Sequence, residues 1–233
     1  MSVEPAGALA PWADDSAYRQ GVVDLLGIIA YGALTAFERL AEDGRMAADL
    51  SDKVHLATMA ARQVAHFERV RTHIAGFGVD VMDAMEPFHA AFDAFHSYTR
   101  PKDLLEGLLK AYVGDGFAAD FYREVAAFVD ADTRSLVHEV LADAGHADFV
   151  VGKVRNAIEA DTKVAGRLAL WGRRLVGEAL SQAQRVAASR DALTSLLTGT
   201  VDRPGMDLAA ISRMFTRLVE THARRMSTLG LQS

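Results

Sequence analysis

Two tetrapeptides lie 80 residues apart in this chain of 233 residues, Gln63-Val-Ala-His66 and Asp143-Ala-Gly-His146. Each sets an oxygen-bearing side chain and an imidazole three residues apart, so on a helix both project from one face. Helical bundles that hold two iron or manganese ions use this device: two helices each give a carboxylate-x-x-His pair and two others each give a single carboxylate. The chemistry it points to is the binding of a pair of metal ions. The chain has no cysteine. That excludes disulfides, iron–sulfur clusters and thiolate zinc sites, and leaves His and carboxylate as the strong metal ligands.

Single carboxylates occur at matching distances. Glu38, in Tyr31-Gly-Ala-Leu-Thr-Ala-Phe-Glu38, precedes Gln63 by 25 residues, enough to leave one helix, turn and return to the same level. Asp115, in Ala111-Tyr-Val-Gly-Asp115-Gly-Phe-Ala-Ala, precedes Asp143 by 28, and its rival Asp120 by 23. The turn expected near Asp130–Asp132 lies midway between Asp115 and Asp143, which favours Asp115. An acid on an apolar helix face is costly unless paired or metal-bound. The predicted metal ligands are therefore Glu38, Gln63, His66, Asp115, Asp143 and His146, around two Fe ions with Mn as the alternative. Gln63 departs from the plan, because an uncharged amide is a poor ligand and lowers affinity for a second metal. Two metals, one or none stay open. Tyr31 and Thr35 share the helix face of Glu38, either as groups that hydrogen-bond a ligand or as core polar groups that satisfy each other.

The elements that must position these residues read as helices throughout. None of Pro5, Pro11, Pro87, Pro101 and Pro204 falls inside a strongly periodic segment, as expected of a residue that breaks helix interiors. Helices are predicted near 16–43, 50–75, 102–129, 132–160, 163–198 and 207–227. Ser16 and Ser51 are candidate N-caps, and Gly44 and Gly76 candidate stops. The stretch from Phe77 to Arg100 reads as the long crossover between the second and third bundle helices. His89 and His96 within it read as loop or surface histidines, with a lid over the site as the alternative. His55, His73, His138 and His222 show no usable spacing. The predicted fold is all-α, a ferritin-like four-helix bundle over 16–162 with a flexible N-terminus (1–15) and a two-helix extension over 163–233.

Half of the residues are hydrophobic and 24% charged, the composition of a globular chain. Met1 to Pro11 carries no signal-peptide pattern, and Val22 to Phe37 is interrupted by Asp24. No membrane segment and a cytoplasmic location are expected. Charge is uneven. Residues 1–162 hold 14 Lys plus Arg and 26 Asp plus Glu, a net of −12, whereas residues 163–233 hold 11 and 5, a net of +6. Arg167, Trp171 and Arg174 recur on one face, flanked by Arg173. They form either a phosphate- and base-contacting surface for tRNA or a face that pairs with the acidic bundle.

Ala36-Phe-Glu-Arg-Leu, Lys110-Ala-Tyr-Val-Gly-Asp-Gly-Phe-Ala-Ala-Asp-Phe-Tyr-Arg-Glu, Ala142-Asp-Ala-Gly-His and Leu170-Trp-Gly-Arg-Arg-Leu-Val-Gly-Glu-Ala carry a resemblance. From about Ala17 to Leu197 the chain resembles actinobacterial ferritin-like proteins grouped with the tRNA 2-methylthio-N6-isopentenyladenosine hydroxylases. The resemblance implies two irons that activate oxygen to hydroxylate the isopentenyl tail of a modified adenosine in tRNA. It carries the ligand role to Glu38, His66, Asp115, Asp143 and His146, and puts Gln63 where that family has glutamate. Electrons would come from a separate reductase, since the chain has no cysteine or flavin motif. The alternatives are a storage-like iron protein, which would need a closed cage, and a ferritin-like scaffold with a degenerate metal site. The two-helix extension is compatible with a homodimer interface.

Overall fold

The computed structural model describes residues 15–142, 146–201 and 203–232; the N-terminal segment before Asp15, and Asp143, lie outside them. Helix α1 (Ser16–Met46) starts at Asp15, whose carboxylate accepts from the Ala17 N–H at 2.8 Å, so the cap is Asp15 and Ser16 is the first helical residue. The helix is apolar nearly all round, and Val22, Leu25, Leu26 and Ala30 are fully buried. A helix of that kind must be enclosed by others. By length and composition α1 could cross a membrane, yet 78% of its most apolar window is buried inside the protein. α2 (Leu50–Gly76) returns along it, entered from Asp49 and not Ser51, and left through Gly78 at φ 70°.

The crossover is itself helical: α3 (Val81–Met85), a 3-10 turn (Glu86–Phe88) and α4 (His89–Tyr98). Pro87 sits in the first turn of the 3-10 segment, where its missing N–H is not needed. α3 lies hard against α1 because Gly27 has no side chain; a Cβ there would come 2.0 Å from the Ala84 carbonyl oxygen.

The third bundle helix is one rod in three parts. α5 (Leu104–Leu109) leads through a π-helical turn (Lys110–Gly114) into α6 (Asp115–Ala126). The fourth predicted helix is broken. α7 (Ala131–Val140), capped by Asp130, ends before the site, and α8 resumes at His146 and runs to Ala160. The predicted 163–198 helix is also two, α9 (Lys163–Ser189) and α10 (Asp191–Thr198), and α11 (Leu208–Thr228) follows. The break has a physical cause. Asp24, 1% exposed in α1, is paired by Arg190, whose Nε donates to it at 3.0 Å, and Arg190 is the residue between α9 and α10.

The C-terminal helices are three, not two, and they belong to the core. Val186, Leu193 and Leu196 join the cluster around the first half of α1, while Leu168, Leu175 and Met226 join a second cluster around Leu40, Leu109 and Val154. Among the described residues there is no strand, only an isolated bridge between Thr200 and Arg203.

The π turn holds a buried charge. Lys110 is 2% exposed, its Nζ donates to the Thr99 carbonyl at 2.8 Å and lies 5.2 Å from the centre of the Phe95 ring. Asp43, also buried, packs against Gly107, where a Cβ would meet its Oδ2 at 2.6 Å. Burial pulls Lys110 down to about 7, and pushes Asp43 up to about 6. Between the usual 3.8 and about 6, the folded chain therefore binds more protons at Asp43 than the unfolded one, and stability falls with rising pH. Between about 7 and 10.5 the unfolded chain binds more at Lys110, and stability rises. Urea denaturation across this range is expected to show that upper rise in the native chain and to lose it in Lys110→Met; an unchanged rise in the variant would assign it elsewhere.

Candidate functional site

The helices around α1 enclose a cavity of about 730 Å³. Its lining follows α1 from Ile28 to Leu40, a run of about 18 Å at the helical rise of about 1.5 Å per residue. Most of the wall is apolar, with Phe92, Phe117, Phe121, Leu180 and Leu197 among its residues. Polar residues interrupt it: Arg39, Gln63, His66, Asp115 and His146 line it, as do Gln182, Thr194 and Thr198 of α9 and α10.

One turn of phase decides what α1 contributes. Ile28, Gly32, Thr35 and Arg39 recur at helical spacing on the cavity side, and Glu38, about 100° further round the helix, is exposed. Glu38 is therefore displaced from the predicted ligand position by its neighbour Arg39. Thr35 is buried with its hydroxyl donating to the Gly32 carbonyl at 3.2 Å. Tyr31 does not line the cavity; its hydroxyl reaches Asp93 of α4 at 3.4 Å and its ring packs on Phe92 and His89. Burial, and then Asp93, push its hydroxyl up to about 12.

Asp115 stands at the start of α6, directly after the π turn, a feature that often marks functional positions. It faces Arg39, whose Nη2 lies 3.0 and 3.1 Å from its two oxygens. Asp120 turns away and binds Arg123 at 3.0 Å and Arg225 at 2.7 Å. Gln63 and His66 share one face of α2. Burial, and then Arg69, Arg62 and His146, lower the proton affinity of His66. His146 lies in α8, and position 143, its predicted partner, falls outside the described residues. His146 Nε2 lies 3.0 Å from Arg62 Nη1. A guanidinium keeps its protons, so the imidazole nitrogen is the acceptor and its lone pair is engaged. His96 of α4, read from sequence as a loop or surface residue, lines the cavity with neither ring nitrogen hydrogen-bonded. Burial, and then Arg39 and Lys110, push it down to about 2, so it is neutral.

Among the described residues, these donors do not make up the set that a pair of metal ions needs. Two divalent cations in a bundle are neutralised by four carboxylates and two imidazoles. Here one carboxylate is bound by a guanidinium, one imidazole nitrogen accepts from a second guanidinium, and α2 offers a neutral amide. Among the described residues no three of His, Asp and Glu converge as a metal site. Arg39 and Arg62 were not anticipated. The spacing Gly32-x-x-Thr35-x-x-x-Arg39 is the signal that would have found the first.

The proposed nucleic-acid face is largely consumed within the protein. Arg167 pairs with Glu106 at 2.6 Å and Asp103 at 2.7 Å. Trp171 is 9% exposed and its indole N–H donates to the Glu106 carbonyl at 3.0 Å, so it offers no ring for a base to stack on. Arg173 and Arg174 are exposed, the latter over the Trp171 ring.

Among curated proteins, none matches the sequence. Among solved structures, the chain is similar to "Protein 19 with aldehyde deformylating oxidase activity from Synechococcus", at 18% identity and a TM-score of 0.71 over 94% of this chain and 93% of that one. At that identity the likeness is one of fold. Residues 16–200 match the family described as "Ferritin-like domain, actinomycetes", a span that takes in α9 and α10 along with the bundle. The chain belongs to this ferritin-like family of actinomycetes.

Proposed function

We propose that this ferritin-like chain is a binding protein that encloses one elongated apolar molecule inside its bundle. The observation that carries the reading is the cavity: about 730 Å³, walled mostly by aliphatic and aromatic side chains, with a few polar groups among them, Arg39 and His96 included. Small-molecule sites have this composition and a volume of roughly 300–1,000 Å³. The wall supplies apolar contact along the length of the ligand, and the Arg39 end supplies orientation.

A second reading is supported by His66, His146 and Asp115 facing the same cavity, and by the fold shared with a protein described as having aldehyde deformylating oxidase activity. It is a di-iron oxygenase acting on an apolar group, of which the isopentenyl tail of a tRNA adenosine is the specific case. That case also needs an external reductase and a tRNA-binding face, and the burial of Trp171 and the pairing of Arg167 count against the face.

Organic extraction and native mass spectrometry of the purified chain are expected to show about one apolar molecule per chain. Ala183→Trp, which fills the cavity from α9, is expected to abolish it; a native chain that neither carries nor takes up such a molecule would sink the first reading. Elemental mass spectrometry after anaerobic loading with ferrous iron decides between the two. Well below one iron per chain is expected, and two per chain would establish the second reading.

A further inference from the structure

Buried polar atoms in folded proteins almost always have a hydrogen-bond partner, and each exception asks for an explanation. On the cavity wall the exceptions are Arg39 Nε, Gln182 Nε2, the two ring nitrogens of His96 and Arg225 Nη1, the last of which has Asp120 Oδ2 as an ion-pair partner at 2.7 Å. Arg39 Nε and Gln182 Nε2 can only donate, and a neutral imidazole offers one donor and one acceptor. The unmet demand is therefore for acceptor oxygens. Arg39 is pinned with Nη2 on Asp115, which leaves its Nε as the unused donor. His96 is near enough for the Arg39 charge to oppose its protonation.

Guanidinium groups face the cavity as well. Arg39, Arg123 and Arg225 line the wall, and Arg225 lies within reach of Gly116, where a Cβ would meet its Nε at 2.7 Å. Asp115 and Asp120 pair with them, and Asp43 and Lys110 act on Arg39 as a further anion and a further cation. A hydrocarbon would leave every orphaned donor unmet. An alcohol would bring a proton of its own to a wall already rich in protons, and an amine would add like charge.

We infer that the molecule held in the cavity is a long-chain carboxylic acid, its carboxylate at Arg39 and His96 and its chain running along α1 towards Ile28. This deepens the binding reading above and rests on it.

The test uses the full chain with Nile red in the cavity as reporter, displaced by palmitate, methyl palmitate or cetyl alcohol. Palmitate is expected to compete at least tenfold better than cetyl alcohol. Arg39→Met and His96→Phe are each expected to weaken palmitate by about tenfold to a hundredfold, the range for a hydrogen bond to a charged group, and to leave cetyl alcohol unchanged. His96→Phe keeps the ring packing and touches no ion pair, so it reports even if Arg39→Met fails to fold. Equal competition by all three compounds, with His96→Phe indistinguishable from the native chain, would overturn the carboxylate assignment while the enclosed-chain reading stands. Failure of Nile red and all three compounds to bind would overturn both.

Discussion

Helix α1 sets the terms for the rest of the molecule. Thirty-one residues long and buried on every side from Gly21 to Ala30, it has no face to give to water over that run, so the other helices are arranged to cover it. α2 lies along its length, α3 and α10 press in where Gly27 and Gly21 remove the side chain, and α4 and α6 close the remainder. The single acid within its apolar half, Asp24, imposes a further condition. A carboxylate taken out of water must be paired, and Arg190 reaches it only because α9 ends there and the chain turns into α10. The break in the C-terminal helices is thus a consequence of one buried charge near the N-terminus.

The same logic accounts for the charge asymmetry. The first 162 residues carry −12 and the rest +6, and four arginines of the second segment bind acids of the first: Arg167, Arg190, Arg217 and Arg225 on Glu106, Asp24, Glu124 and Asp120. Exposed pairs of this kind contribute little. Those on Glu106 and Asp24 are different because the acids are 4% and 1% exposed, and removing one partner there leaves an uncompensated buried charge at a cost of about 3–5 kcal/mol. Four of the eleven basic residues of the last segment are thus matched by acids of the first, so its net charge overstates the positive charge left for a partner.

How much of this was legible in the sequence depends on the scale of the question. Proline placement and helical periodicity located α1, α2, α5–α6 and α11 closely, since those signals are local. The breaks at Val140 and Arg190 were not legible, because nothing in the adjacent residues forbids a helix and the cause at Arg190 is a contact 166 residues away. For the candidate site, α2 and α6 were read at the right residues: Gln63, His66 and Asp115 all face the cavity. α1 was read one residue out of phase. Thr35 is followed on its face by both the i+3 neighbour Glu38 and the i+4 neighbour Arg39, and a pattern of metal ligands points only to the acid. Tertiary packing puts Arg39 inside and Glu38 outside.

That single step changes what holds the bundle together at its centre. A di-metal centre ties its helices by shared coordination. Here Arg39 ties α1 to α6 through Asp115, and Arg62 ties α2 to α8 through His146. The helix pairs that an internal metal would bridge are joined by guanidinium groups, which supply the positive charge without an ion. A guanidinium is also a fixed, planar donor that cannot change oxidation state and has no open coordination position. What it can do is present further N–H groups in a set direction, and Arg39 presents one towards a cavity otherwise lined with hydrocarbon. On the binding reading proposed above, arginine in place of metal would keep the cross-links and the apolar chamber, and exchange a reactive centre for a recognition element.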